Sequence, residues 1–196
     1  GSITKLINNP RAMVIGDVRH SRKIFELWSK SELEAIGIYE VEFDNTNKKD
    51  EQWYINTNQS FAFAGGKITA SYGSATPKAH ADANATDDDG NDLDPVVVVE
   101  GLKTKKIRNV KIQAASILTQ TDWYVVRKAD AGTAVPSAIT TYRAAVRTKA
   151  AAMETLITNA SNTAAIETLY TYVNTADEGD PVVMERPLGE FPVLGA

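Results

Sequence analysis

A chain of 196 residues is long enough to bury a real core, as one domain of ordinary size or two small ones. With 43% hydrophobic and 23% charged residues it lies outside the regime of low hydrophobicity and high charge in which folding fails, so any disorder should be local. Twenty-one basic against 25 acidic side chains leave a formal net charge of -4, which argues against nucleic acid as the main partner, and the absence of cysteine excludes disulfides, thiolate nucleophiles and sulfur metal sites.

The opening Gly1-Ser2-Ile3-Thr4-Lys5-Leu6 has no apolar core of signal-peptide length. No later segment approaches the apolar length of a bilayer span, so a soluble protein made in a reducing cytoplasm, with no membrane partner, is expected. Residues 1–75 read as a β-rich module of strands and turns with one short helix. That helix falls within residues 28–37, where Ser29 with Glu32, and Ser31 with Glu34, both have capping-box spacing and Gly37 supplies a stop. Tyr39, Val41 and Phe43 then alternate with Glu40 and Glu42, the period of a strand with one buried face. After the turn-rich Asp44-Asn45-Thr46-Asn47, Trp53-Tyr54-Ile55 reads as a second strand. Phe61-Ala62-Phe63-Ala64 and residues 67–72 flank Gly65-Gly66, a connection able to take the positive φ angles of a tight hairpin. The result is a small antiparallel sheet whose aromatics, Trp53, Tyr54, Phe61, Phe63 and Tyr72, form either its core or a ligand platform.

Residues 76–95 turn small, polar and acidic, ending in Asp87-Asp88-Asp89-Gly90-Asn91-Asp92-Leu93-Asp94, and read as an acidic flexible linker. A calcium loop fails here. With Gly90 at the sixth loop position, the first and twelfth ligand positions fall on Ala85 and Val96. Residues 96–196 form a mainly helical module. It opens on Val96-Val97-Val98-Val99, a β-branched run expected to be buried on both sides or paired with another chain. Leu102, Ile107, Val110, Ala114, Ile117 and Leu118 then recur at helical intervals beside Lys103, Lys105, Lys106, Arg108 and Lys111. This predicts a basic amphipathic helix that either contacts an acidic partner or simply turns its lysines to water.

A further helix is expected to start at Pro136-Ser137, with Ile139, Tyr142, Val146, Ala150, Met153 and Leu156 or Ile157 along one face. Asn159-Ala160-Ser161-Asn162 breaks it, and Ile166, Leu169, Tyr170 and Val173 give a second, shorter stripe that should fold back on the first as a helix hairpin. The proline-rich residues 181–194 read as an extended C-terminal strap lying in a groove. The whole is therefore an α+β chain.

No catalytic, cofactor-binding or metal-ligating residue can be assigned. His20 and His80 have no ligand spacing, and nucleophile-elbow, phosphate-loop and zincin motifs are missing. The segment Leu118-Thr119-Gln120-Thr121-Asp122-Trp123-Tyr124, with Val135-Pro136 and Tyr142-Arg143-x-x-x-Arg147, resembles the C-terminal part of tail fibre assembly and tail-associated proteins of tailed bacteriophages. Residues 22–29 with Gly37-Ile38-Tyr39 are also similar to small tail proteins of that kind. Together these stretches cover about half the chain.

The resemblance implies a non-enzymatic structural protein of the tail, in a fibre, its attachment collar or the baseplate, carried in the virion after synthesis in the host cytoplasm. Other tail proteins and further copies of the chain in a symmetric assembly would be its partners. In the assembly proteins the Tyr-Arg helix is followed quickly by an apolar-proline finish, whereas here a second helix precedes Phe191-Pro192, which weighs against a purely transient assembly chaperone. Partner-contact candidates are Trp123, Tyr124, Arg127, Tyr142, Arg143, Arg147 and Phe191, aromatics beside arginines being the composition of binding hot spots. The competing reading is that Trp123 and Tyr142 pin the helices together. A glycan-binding or glycan-processing module would need Trp53 or Tyr54 exposed.

Overall fold

The computed structural model describes residues 2–195 and divides the chain into two compact units, Gly1–Thr76 and Pro77–Ala196. Strands dominate the first and helices the second, an α+β protein.

Unit 1 opens with a hairpin of β1 (Met13–Ile15) and β2 (Val18–His20), paired antiparallel with Val14 opposite Arg19. The four-residue α1 (Ile24–Leu27) buries Ile24. In α2 (Lys30–Ala35) the capping box is the one built on Ser29: its amide donates to Glu32 Oε2 at 2.8 Å and its hydroxyl accepts from the Glu32 amide at 3.4 Å. At the other end Gly37 takes φ +84° and donates to Glu34 O, while the Ile38 amide reaches Leu33 O, the Schellman closure.

The sheet joins β3 (Val41–Asp44), β5 (Ser60–Ala64) and β6 (Lys67–Ser71) in the order β3-β6-β5. β5 and β6 form the expected hairpin, with Gly65 and Gly66 at φ +59° and +78°, both positive as a type I′ turn requires. The expectation of a wholly antiparallel sheet is corrected by β3, which pairs parallel to β6, Val41 opposite Ile68. Parallel neighbours need a long connection, and residues 45–66 supply it: β4 (Tyr54–Ile55) lies within it, and β5 itself returns the chain to the start of β6. Lys67 Nζ meets Glu42 Oε1 at 3.0 Å across this pair. β6, held on both sides, buries Ile68 and Ala70, and Trp53 and Tyr54 are only 4% exposed. These two aromatics are core, which removes the sugar platform they would have offered.

β7 (Thr76–Pro77) lies at the junction of the units in sequence. In unit 2, β8 (Ala83–Asn84) pairs antiparallel with β9 (Val98–Val99), and the ladder continues through Ala85 N to Val97 O at 2.7 Å and a bridge between Thr86 and Asp92. The tip is closed by Asp87, whose Oδ1 accepts from the amides of Asp89 at 3.0 Å and Asn91 at 2.8 Å. These donors, Asn91 first, hold the Asp87 carboxyl below its ordinary range. The stretch read as a flexible linker is thus a hydrogen-bonded excursion within unit 2, because an aspartate at the head of a turn supplies the acceptors that the backbone needs. Val96 to Val99 were expected to be buried on both sides or paired with another chain. They pair within the chain along one edge and remain about half exposed.

Four helices follow: α3 (Leu102–Thr119), α4 (Asp122–Ala131), α5 (Ser137–Asn159) and α6 (Thr163–Tyr170). The first amides of α3 find acceptors before the helix begins: Gly101 N donates to Asp82 Oδ1 at 2.7 Å, Leu102 N to Ala79 O, and Lys103 N to His80 O. The core is the seam of α3 and α5, where Val110 and Ala114 meet Val146, Ala150, Met153 and Ile157. Lys103 Nζ donates to Thr158 O at 2.8 Å and Lys111 pairs with Glu154, so the start of α3 lies by the end of α5 and the two run antiparallel. The main neighbour of α5 is α3, brought back across α4, while α6, joined to α5 by only three residues, adds Leu169 and Tyr170 to the same core.

The basic side of α3 is largely occupied internally: besides Lys103 and Lys111, Arg108 pairs with Glu100 and Lys106 lies 4.8 Å from the Tyr170 ring centroid. After α6, β10 (Val173–Asn174) and β11 (Met184–Glu185) form a small hairpin, so Val173, expected in the helical stripe, is strand instead. The strap then inserts Leu188, 2% exposed, into the α3 and α5 core, and the Leu188 amide donates to Leu169 O at 3.0 Å.

Candidate functional site

The corner between α3 and α4 is made by Thr121, whose hydroxyl donates to Leu118 O at 3.0 Å and which is almost fully buried. Into this corner α5 sends Arg143. Its Nη1 lies 2.7 Å from Thr121 Oγ1, 2.8 Å from Leu118 O and 2.8 Å from Asp122 Oδ1. One guanidinium nitrogen therefore ties the Leu118 carbonyl of α3 and the first turn of α4 to α5, and the guanidinium, always charged and more weakly hydrated than an ammonium, suits so buried a position better than a lysine.

Arg143 was read as a partner contact, and its burial makes it an internal clamp instead. Arg143→Ala is expected to cost unit 2 about 2 kcal/mol in urea unfolding followed by circular dichroism, because a buried carbonyl and hydroxyl lose a charged donor. Arg143→Lys should recover only part of that loss.

Beyond the clamp, α4 buries none of its ten residues. Trp123 is 51% exposed and Val126 64%, with Val125 also exposed. The Trp123 and Tyr124 rings lie 3.7 Å apart between centroids, and Arg127 Cζ sits 4.8 Å from the first and 5.4 Å from the second. Arg127 Nε is covered by this packing and has no hydrogen-bond partner among the described residues. Gly132, at φ +72°, closes the helix by donating to Lys128 O.

The sequence candidates thus divide by position. Trp123, Tyr124 and Arg127 form one cluster on α4, and Arg147 is exposed on α5, one turn beyond the buried Arg143. Tyr142 and Phe191 pack half-buried against the α3 and α5 core, so both are structural edges of that core. Sequence reasoning missed Thr121 and Asp122 as the acceptors of the clamp, and Val125 and Val126 as part of the exposed surface. The signal for the valines was present: four consecutive large residues, Trp123 to Val126, cannot all share one buried helix face.

A second polar cluster fixes the strap. Arg186 Nε lies 2.7 Å from Glu190 Oε1, and the Tyr172 hydroxyl donates to the same carboxylate. Burial pushes the Glu190 carboxyl up, but the Tyr172 hydroxyl, the Arg186 guanidinium and the Lys149 charge outweigh it and leave it below its ordinary range. A depressed carboxyl stabilises the folded form above its unfolded pKa and loses that contribution as pH falls through the folded value. Acidification below about pH 4.5 should therefore loosen the strap before the helices melt, read as accelerated proteolysis after Tyr172.

No group of His, Asp or Glu able to hold a metal ion is found among the described residues, and no helix among them is long and apolar enough to cross a membrane. Compared with protein-family models, curated proteins and solved structures, the chain matches none.

Proposed function

We propose that the chain is a structural, non-enzymatic component of a bacteriophage tail, in a fibre, its attachment collar or the baseplate, acting through protein contacts made by α4. The observation that supports this reading most is that α4 has no fully buried residue and leaves Trp123, Val125 and Val126 exposed, joined to the tail-protein resemblance of the segments around it. A helix of this length is marginal in water without a packed face. Trp123, Tyr124 and Arg127 are of the residue types that dominate binding energy at interfaces, and Val125 and Val126 extend the apolar area around them.

Quantitative mass spectrometry of purified particles tests the assignment. A fixed number of copies per virion, relative to the major tail protein, is the expected result. Abundance in infected-cell lysate with absence from particles would replace the structural reading with that of an assembly chaperone. For the surface itself, Trp123→Ala combined with Val126→Asp should leave helicity unchanged and reduce incorporation into particles at least tenfold, the loss of one hot spot of roughly 2 kcal/mol.

A further inference from the structure

The two units carry opposite charge in two particular places. Residues 1–23 hold Lys5, Arg11, Arg19, Arg22 and Lys23 against Asp17 alone, a net of +4. Residues 82–100 hold six aspartates and Glu100 with no lysine or arginine, a net of -7. Both places are strand edges. Val14 and Val18 of the β1–β2 hairpin are exposed, as are all four valines from Val96 to Val99. Among the described residues β9 pairs with β8 on one side only, and β1 and β2 pair only with each other, so each offers unpaired backbone groups along an outer edge. Neither Arg11 nor Arg19 has an ion-pair partner among the described residues, and the same holds for the carboxylates of Asp88, Asp89 and Asp94.

We propose that the basic β1–β2 hairpin of one copy docks on the free, valine-lined β9 edge of a second copy, head to tail. The occupant follows from charge. Pairing two β9 edges would set two runs of carboxylates side by side, and pairing two hairpins would do the same with arginines, both unfavourable. Only the mixed contact places Arg11 and Arg19 beside Asp89 and Asp94 while covering valines on both sides. Edge-to-edge strand addition supplies main-chain hydrogen bonds, and the flanking charges set direction and partner. Such a contact uses different surfaces on the two copies, so each bound pair keeps one hairpin and one β9 edge free and growth continues to a ring or a filament. The inference is independent of the tail reading, since it requires only this chain.

The test is sedimentation velocity of the full chain from micromolar to near-millimolar concentration, at low and high salt. Concentration-dependent growth that salt suppresses is expected. Arg11→Glu with Arg19→Glu, and separately Asp89→Lys with Asp94→Lys, should each weaken association roughly a hundredfold. Mixing these two variants should restore it, because the native acidic edge of the first meets the native basic hairpin of the second, and the reversed hairpin and edge are complementary as well. That restoration also shows that both variants are folded. A native chain that stays monomeric throughout, assemblies that survive the hairpin reversal, or a mixture that fails to associate would each overturn the proposal.

Discussion

Gly101→Ala is expected to destabilise unit 2 by about 3 kcal/mol, far more than a methyl group at a helix start ordinarily costs. The reason is space. Gly101 has extended backbone that any residue can adopt, but a Cβ there would lie 2.3 Å from Ala81 O, 2.4 Å from Ala81 C and 2.8 Å from His80 C. These are backbone atoms, so residues 79–82 must retreat as a piece. The same short segment also satisfies the opening amides of α3, through Ala79 O, His80 O and the Asp82 carboxylate, which further accepts from Thr104 Oγ1 at 2.8 Å. The methyl group therefore removes the cap as well as crowding the turn.

Urea unfolding followed at 222 nm reads the loss, since most helix belongs to unit 2. The Gly101 amide is the main cause holding Asp82 below its ordinary value, followed by Thr104. Its contribution is present above about pH 3.8 and is lost as pH falls through the folded value, so the native chain should weaken across that acid range and the variant should respond less. A variant within experimental error of the native chain would show that the turn yields freely.

Leu188→Ala is expected to cost about 3 kcal/mol, the usual size for removing a leucine from a closed core. The effect should also be unevenly distributed. Leu188 is the deepest point at which the strap enters the α3 and α5 seam, and Phe191 and the Glu190 cluster hold only its margin. Limited proteolysis should therefore cut within residues 173–195 many times faster in the variant. Ile157→Ala, a comparable deletion from the same core, should lower the urea midpoint without singling out the strap. Equal protection of the strap in both variants would show that Leu188 is not its anchor.

What could be read in advance was mostly local. The Ser29 and Glu32 box, the Gly65-Gly66 turn and the α5 stripe from Ile139 to Ile157 each need only residues within a few turns of one another, and all formed. Strand direction is not written in alternation, so nothing in Val41 or Phe43 distinguishes a parallel from an antiparallel neighbour. The partnership of α3 with α5 depends on matching lengths across an intervening helix. Arg143 defeated a default, since arginine is usually assigned to the surface and its burial becomes visible only when Leu118 O, Thr121 and Asp122 are brought to one corner. Of the candidate site, Trp123, Tyr124 and Arg127 were picked out by composition and resemblance, whereas the helix α4 that carries them was not expected. The valine run misled because continuous apolar residues ordinarily mean burial.

The β8–β9 excursion has a consequence for engineering. Its stem is closed by Ala83 opposite Val99 and its tip by bonds made within residues 86–92, so the turn is self-contained and fully at the surface. Loop length there adds little closure entropy and touches no helix. The tip is thus a natural insertion point: a foreign peptide there would disturb the head-to-tail contact made through Asp89 and Asp94, but would leave Asp82 and Gly101, just outside the stem, holding the start of α3.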